Sequence, residues 1–312
     1  MRGALAVLVA ASLVLVSGCS GDGSEGPGGA APDPRTPQVS ELDAGPVGVA
    51  DVDGTAWTTL VRDGAVRTAD GQLIDVGEFP LRLVDTPSGV WVSVIGDGTV
   101  VLIDSGTGDV LQTVPIRPKG SEPEGVAWDG ESLWVVDQAG GRVLQLDGDG
   151  AQLASYPTDD EPRLVAAGDS GIWVANYGGS SVSRVLDGKV TTRPLPGCTG
   201  PQGIAEAAGK VWVSCTLSGK VVVLDAGTMK QVGEIADVPD ADAVVVGDDI
   251  VYVVGQSGPT VYVIDPATAE LVDTIALDDA PPTSENVGAA VVGTDLVVTH
   301  PDVRKIYTLP LP

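Results

Sequence analysis

The sequence predicts an all-β fold, a seven-bladed β-propeller with four-stranded antiparallel blades, and three observations predict it. A segment of about 34 to 45 residues recurs seven times, a period typical of propellers and solenoids. Five copies place a proline and a tryptophan eleven residues apart, and Tyr252 and Val297 take the tryptophan position in the last two. No segment shows the 3.6-residue apolar period of a helix. The five pairs are Pro46/Trp57, Pro80/Trp91, Pro123/Trp134, Pro162/Trp173 and Pro201/Trp212.

Each copy divides into four short strands separated by turns. The first follows the pattern Pro-x-Gly-Val/Ile-Ala, as in Pro201 to Ala205, and the second contains the tryptophan, as in Leu133 to Val136. The third is apolar, as in Val221 to Leu224, and the fourth is more polar, as in Leu271 to Ile275. Four short antiparallel strands per repeat are the composition of a propeller blade.

The seventh copy contains only three strands before the chain stops, and the ring therefore needs a strand from elsewhere. Gln38 to Leu42 precedes the first copy and has no partner within it. We predict that this segment forms the outer strand of the last blade and closes the ring. Closure of this kind covers an edge that would otherwise pair with other chains.

The first 18 residues are predicted to be a lipoprotein signal peptide. Arg2 is followed by thirteen apolar or small residues, Ala4 to Val16, a run too short to span a bilayer. The segment ending in Gly18-Cys19 resembles the bacterial lipobox, which implies cleavage before Cys19 and lipid attachment to its sulfur. Two or more acyl chains, palmitate among them, would hold the protein on the extracytoplasmic face of the cell membrane. An ordinary secreted protein is the alternative.

Residues 19–37 are predicted to be a flexible tether, and residues 38–312 the propeller. The tether is rich in Gly, Pro and Ser and has almost no large apolar side chain with which to build a core. Its Gly-x-Gly-x-x-Gly match, residues 21–26, follows no strand and opens no helix, so it does not indicate a dinucleotide site.

Two patterns in the repeats resemble known propellers. Tyr252-Val253-Val254-Gly255, followed by Thr260 to Thr268, is similar to the YVTN repeat. The Pro-x-Gly-Ile-Ala…Trp-Val frame resembles the streptogramin (virginiamycin B) lyase-like propellers. The resemblance covers residues 38–312 and implies a seven-bladed propeller, a fold that hosts lyases, lactonases, sensors and adaptors.

The charge of the chain excludes one class of partner. Lys plus Arg number 17 against 43 Asp plus Glu, a formal net charge of −26, which repels a phosphate backbone and argues against nucleic acid. Much of the acidity stands at strand ends, where an aspartate caps its own turn. We expect this capping role for five aspartates at strand ends: Asp70, Asp104, Asp147, Asp225 and Asp265. We also expect the propeller to be a monomer.

Two positions in each blade are expected near the central opening on one face, which we call the loop face: the residue after the proline, and the residue three beyond the tryptophan. Blades 1 and 2 are apolar at both positions, whereas blades 3 to 6 are largely polar. We interpret the polar residues as a ligand-binding crescent, although any exposed rim would also be polar. The crescent contains Glu124, Asp137, Arg163, Asn176, Gln202 and Asp242, with Tyr177, Gln256 and His300 as neighbours.

Cysteine and histidine restrict the chemistry further. Cys198 and Cys215 are expected at the same face of blade 5 and predict a disulfide outside the cytoplasm. His300 is the only histidine, which excludes zinc sites built on several histidines. Streptogramin lyases use more than one histidine beside a glutamate and Mg²⁺, so the resemblance implies the fold and not lyase activity. A carboxylate site for Ca²⁺ or Mg²⁺ stays open, with acidic runs at residues 159–161 and 278–279 as candidates.

Three hypotheses for function follow. The first is a membrane-anchored binding module whose loop face takes a protein, an envelope polymer or a small ligand. The alternative is a carboxylate- or divalent-metal-dependent enzyme, a lactonase-like hydrolase or a lyase, that uses Glu124, Asp137, Asn176 and Asp242. The third is a purely architectural spacer.

Overall fold

The computed structural model describes residues 36–281, 283 and 286–311. The predicted signal peptide, the lipidated Cys19 and all but the last two residues of the predicted tether lie outside these residues. Over the described part of the chain, no helix has the length and apolarity required to cross a membrane.

Seven four-stranded antiparallel sheets form the seven blades of a β-propeller, which confirms the predicted fold class. Blade 1 contains β2 (Pro46–Val52), β3 (Thr55–Leu60), β4 (Ala65–Arg67) and β5 (Leu73–Asp75). Blade 2 contains β6 (Pro80–Thr86), β7 (Gly89–Val94), β8 (Thr99–Ile103) and β9 (Val110–Pro115). Blade 3 contains β10 (Pro123–Trp128), β11 (Leu133–Asp137), β12 (Arg142–Leu146) and β13 (Gln152–Pro157). Blade 4 contains β14 (Pro162–Gly168), β15 (Gly171–Asn176), β16 (Ser181–Leu186) and β17 (Lys189–Pro194). Blade 5 contains β18 (Pro201–Ala207), β19 (Lys210–Cys215), β20 (Lys220–Asp225) and β21 (Gln231–Ile235). Blade 6 contains β22 (Ala241–Gly247), β23 (Ile250–Gly255), β24 (Thr260–Asp265) and β25 (Glu270–Ala276), and blade 7 contains β26 (Gly288–Val292), β27 (Asp295–His300), β28 (Lys305–Pro310) and β1 (Gln38–Glu41).

Ring closure occurs as predicted. Strand β1 pairs antiparallel with β28, with Gln38 opposite Thr308 and Glu41 opposite Lys305. The pairing continues one residue further through the Leu42 N–H, which donates to the Arg304 carbonyl at 2.8 Å. The N-terminal strand therefore completes the blade formed by the C-terminal part of the chain.

The core is a set of seven apolar layers, each between two neighbouring blades. Trp173 of blade 4, for example, packs with Val211 and Val213 of blade 5. Tyr252 of blade 6 packs with Leu296 of blade 7 in the same way. All five repeat tryptophans are at most 5% exposed, so their periodicity follows from packing between blades. Their exposed fractions are Trp57 5%, Trp91 0%, Trp134 4%, Trp173 0% and Trp212 0%.

The turn aspartates also behave as predicted. Asp104 accepts hydrogen bonds from the N–H groups of Gly106 and Thr107 at 2.9 and 2.7 Å. These bonds, that of Thr107 foremost, hold the pKa of the exposed Asp104 carboxyl below its ordinary value. Asp70, Asp147, Asp225 and Asp265 bind their own turns in the same manner. The helical content of the described residues is a single 3-10 turn, Thr216–Ser218.

In blades 1 to 6 the first strand contains an irregularity, so that two of its residues lie opposite one residue of the second strand. In blade 5 these two residues are Gln202 and Gly203. A Cβ on Gly203 would lie 2.1 Å from the Asp242 carbonyl oxygen of blade 6, so this position needs glycine. Blade 2 has Arg82 at the equivalent position, with the same register of its first strand.

Candidate functional site

A cavity of about 310 Å³ lies where the first strands of the blades begin, at the central opening of the loop face. One part of its wall is apolar and comes from blades 1 and 2, and the other part is polar and comes mainly from blades 3 and 4. It is lined by Val47, Val61, Phe79, Leu81, Arg82, Ile95, Glu124, Gln138, Arg163 and Asn286. The sequence asymmetry between blades 1–2 and the following blades therefore corresponds to two different walls of one cavity.

Buried hydroxyl groups fix the backbone on which the site is built. Ser93 Oγ of blade 2 donates to the Glu124 carbonyl of blade 3 at 2.6 Å. Ser214 Oγ of blade 5 donates to the Asp242 carbonyl of blade 6 at 2.6 Å and accepts from the Gly203 N–H at 2.7 Å. Thr59 and Thr299 form the same bridge from blade 1 to blade 2 and from blade 7 to blade 1. The backbone of both central acids is thus held by a neighbouring blade.

Glu124 and Arg163 form the charged part of the cavity wall. Glu124 is 2% exposed, and its Oε1 lies 3.7 Å from Arg163 Nη1. The Arg163 guanidinium also lies 4.6 Å from the centre of the Tyr177 ring, a cation–π contact. Burial raises the pKa of the Glu124 carboxyl, and Arg163 opposes this shift. The Glu124 carboxyl and the Arg163 guanidinium therefore face each other without a short hydrogen bond between them.

Arg82 is a site residue that sequence reasoning missed. It extends from blade 2 across the centre of the ring, where its Nη1 donates to the Val287 carbonyl of blade 7 at 3.3 Å. It lines both the 310 Å³ cavity and a further cavity of about 140 Å³ between the first strands. The sequence contained a signal, since Pro80-Leu81-Arg82 breaks the Pro-x-Gly pattern with a charged residue.

Asp242 joins this group through the same residue of blade 7, Val287. Its Oδ2 accepts from Gln256 Nε2 at 3.0 Å and from the Val287 N–H at 2.7 Å. Burial raises the pKa of Asp242, and Arg82 is the main opposing influence. His300 is buried nearby in the same blade as Val287, with Nε2 3.2 Å from the Pro281 carbonyl, and burial lowers its pKa.

Most members of the predicted crescent are buried, and two of them form hydrogen bonds within their own blade. Asp137 accepts from the Glu122 N–H at 2.9 Å and from Arg142 Nη2 at 2.8 Å. Asn176 Nδ2 donates to Ser181 and Ser183 at 2.9 and 3.0 Å. Side chains of this kind tie adjacent loops and strands together, and this is what Asp137 and Asn176 of the predicted enzymatic set do in blades 3 and 4.

Gln202 is also buried, at 1% exposed, and neither atom of its side-chain amide has a hydrogen-bond partner among the described residues. The structure therefore brings together Glu124, Arg163 and Asp242, with Tyr177 and Gln256 attached to them through direct contacts.

The residues present do not fit a divalent cation. Among the described residues, no cluster of three acidic, histidine or cysteine side chains has a geometry suited to a metal. The two central carboxylates are flanked by the Arg82 and Arg163 guanidinium groups, which are themselves cations. In the two acidic runs, Asp159 accepts from Ser181, and Asp278 accepts from Lys305 and Tyr307.

The predicted disulfide is present. Cys198 and Cys215 are bonded, with their Cα atoms 5.2 Å apart, and both are buried in the layer between blades 4 and 5. The bond joins the loop that enters blade 5 to the end of the second strand of that blade. It lies at the loop face of blade 5, as expected from the sequence, and stabilises that face.

No family model and no curated protein matches the sequence. Among solved structures, a streptogramin B lyase aligns with a TM-score of 0.76 at 18% identity, covering 88% of this chain and 98% of the lyase. A catalytically inactive virginiamycin B lyase from Staphylococcus aureus, solved with quinupristin, aligns with a TM-score of 0.75 at 17% identity, covering 88% of this chain and all of the lyase. A chain of the mitotic checkpoint complex reaches 0.74 at 12% identity, covering 90% of this chain and 96% of that chain. At these identities the likeness shows a common propeller fold.

Proposed function

We propose that this protein is a lipid-anchored binding protein of the extracytoplasmic membrane face, and that it takes a small ligand in the central cavity of the propeller. The observation that carries the proposal is a set of buried polar atoms with unfilled hydrogen-bonding capacity around that cavity. Glu124 Oε2, Arg82 Nε and Arg163 Nε have no hydrogen-bond partner among the described residues, and all three residues line the cavity.

A buried polar atom without a partner costs about 1–3 kcal/mol, and more when the group is charged. A ligand that supplies partners to these atoms would recover part of this cost on binding. A cavity of about 310 Å³ is within the size range of small-molecule sites. The combination of an apolar wall with a few polar groups is also typical of such sites.

Binding is better supported than catalysis by the roles of the candidate catalytic residues. Asp137 and Asn176 are engaged by their own blade, and the carboxylates of Glu124 and Asp242 face guanidinium groups. The solved virginiamycin B lyase with quinupristin indicates that a propeller of this shape accommodates a small molecule. These points favour a ligand-binding role for the same central region.

The membrane location is proposed from the sequence of the N-terminus. Lipid on Cys19 and a tether over residues 19–37 would hold the propeller near the membrane surface. We expect a Cys19→Ser variant to lose incorporation of a labelled fatty acid and to leave the membrane fraction. Retention of the label by that variant would contradict the lipid anchor.

The binding proposal is tested by thermal unfolding of the purified protein with a panel of amino acids, peptides, sugars, sugar acids and envelope polymers. A ligand at a hundred times its dissociation constant stabilises by about 2.7 kcal/mol, a shift of several degrees. We expect Glu124→Gln or Arg163→Gln to abolish the shift and the exposed-site control Arg193→Gln to retain it. A shift that persists in both central variants would place binding elsewhere. A flat panel would contradict the small-ligand reading in favour of a protein partner, to be sought by surface cross-linking.

A further inference from the structure

The two walls of the central cavity differ enough to indicate the chemistry of its ligand. We propose that the cavity takes a small zwitterion carrying an apolar group, as a dipeptide with leucine- or phenylalanine-sized side chains does. This inference rests on the proposed function, because it assigns a ligand class to the same cavity. It adds the requirement that the ligand has a cationic end, an anionic end and an apolar part.

The apolar wall presents the only phenylalanine of the chain to solvent. Phe79 is 51% exposed at the edge of the cavity, although its backbone has a φ of 57°, which is unfavourable for a bulky residue. The Ile95 N–H donates to the Phe79 carbonyl at 3.2 Å and holds this conformation. A Cβ on Gly96 would lie 2.8 Å from the Phe79 ring, so Gly96 provides room for it. The fold therefore keeps a large apolar surface available beside Val61 and Leu81, where a ligand can cover it.

The charged wall has both a donor and an acceptor with unfilled capacity. The 3.7 Å separation of Arg163 Nη1 and Glu124 Oε1 exceeds the roughly 2.7–2.9 Å of a charge-assisted hydrogen bond. Glu124 Oε2 and the Nε atoms of Arg82 and Arg163 have no partner in the described part of the chain. A ligand ammonium would donate to Glu124, and a ligand carboxylate would accept from Arg163.

The charges of the site favour a ligand without net charge. Two guanidinium groups, Arg82 and Arg163, face two carboxyl groups, Glu124 and Asp242, and oppose the burial that disfavours ionisation of both acids. A ligand with a net charge would leave a buried charge uncompensated, which is costly. A zwitterion adds one charge of each sign and maintains the balance.

The positions of Arg163 and Glu124 also determine the orientation of the ligand in the cavity. The Arg163 side chain is 26% exposed and Glu124 is 2% exposed, so the carboxylate would lie nearer the opening and the ammonium deeper. An ammonium beside Glu124 would favour its ionised form, whose formation burial otherwise disfavours. A neutral sugar could use the same donors and acceptors but has neither an ammonium for Glu124 nor a carboxylate for Arg163.

The test is calorimetric titration of the full chain with four probes: L-leucyl-L-phenylalanine, its N-acetyl form, its C-terminal amide, and glycylglycine. We expect the free dipeptide to bind about 10- to 100-fold more tightly than either capped form, because each cap removes one charge-assisted pair. Glycylglycine, which lacks the apolar groups, should bind more weakly than the free dipeptide. This comparison uses the unmodified protein and so does not depend on the folding of any variant.

Three variants assign each end of the probe. Glu124→Gln should weaken the free dipeptide but leave the N-acetyl form unchanged, and Arg163→Gln should weaken it but leave the amide unchanged. Phe79→Asn, which tolerates the positive φ, should lower the affinity for the dipeptide towards that of glycylglycine. The exposed Arg193→Gln variant should bind every probe as the unmodified protein does.

Equal binding of the free and capped forms would overturn the inference, as would the absence of binding by the dipeptide at millimolar concentration. Either result would leave the proposed function standing if another class of compound, such as a sugar acid, shifts the unfolding temperature and requires Arg163. The two proposals therefore fail on different observations.

Discussion

The buried hydroxyl of Ser214 gives the sharpest test of how the inner ring is held together. Its Oγ donates to the Asp242 carbonyl at 2.6 Å and accepts from the Gly203 N–H at 2.7 Å, and the residue is 0% exposed. Ser214→Ala removes both bonds and leaves a buried carbonyl and a buried N–H without this partner. At about 1–3 kcal/mol for each of the two orphaned groups, we expect a loss of about 2–6 kcal/mol.

For a domain of this size such a loss corresponds to a fall in melting temperature of about 3–10 °C. Thermal and guanidinium unfolding followed by circular dichroism would measure it. Ser214→Thr is the matched variant that keeps the hydroxyl, and it should retain most of the stability because blades 1 and 7 use Thr59 and Thr299 at this position. Ser155→Ala, at an exposed position of β13, is the control. A Ser214→Ala melt equal to that of the Ser155 control would refute the reasoning.

Three further predictions concern the core, a surface ion pair and ring closure. Trp173→Ala, in the layer between blades 4 and 5, should cost about 3–5 kcal/mol in chemical denaturation. The folded-state pKa of Asp278 is lowered from 3.8 to about 2 by its hydrogen bonds to Lys305 and Tyr307, so its contribution is complete above pH 3.8 and is lost as the pH falls towards 2. Asp278→Asn should therefore lower the melting temperature at pH 7 by an amount equivalent to about 1 kcal/mol, after screening of this partly exposed group, and the difference should vanish near pH 2. Deletion of β1 (Gln38–Glu41) should cost about 1–3 kcal/mol and increase light scattering on storage, because the edge of β28 becomes exposed.

Controls separate these effects from general damage. Trp128 is only partly buried, and its substitution by alanine should cost less than that of Trp173. Asp279→Asn should leave the pH dependence unchanged, since the side chain of exposed Asp279 takes no part in the Lys305 contact. A chain that lacks β1 but shows the same melt and the same scattering as the full protein would argue against the closing strand.

The sequence was sufficient to predict the blades, their closure and the disulfide, because each depends on a repeated pattern. The Pro and Trp frame marks strands that must pack between blades, and the strand missing from the seventh copy left β1 as its natural partner. Cys198 and Cys215 could be paired because the repeat places Cys198 in the loop that enters blade 5 and Cys215 at the end of the second strand of that blade.

The site was harder to predict, for two reasons. In blades 1 to 6 the irregularity of the first strand sets two residues against one, so counting alternate residues does not tell which side chain faces the central cavity. Arg82 occupies such a position and was missed for this reason. Asp137 and Asn176 were predicted at equivalent positions of two blades, yet local hydrogen bonds to their own loops decide their orientation. Repeat alignment thus predicts where a residue stands and not which partner it selects.

The hydroxyl bridges have a consequence for how this surface can diversify. Because Ser93 anchors the backbone at Glu124 from a neighbouring blade, the position of this backbone does not depend on the Glu124 side chain. Asp242 differs, because its side chain also accepts from Gln256 and from the Val287 N–H of blade 7. An exchange at Glu124 therefore changes the charge and shape offered to a ligand while the blades remain in register. The backbone of the inner strands is therefore fixed independently of such a side chain, and a single substitution there can change the ligand specificity without changing the fold.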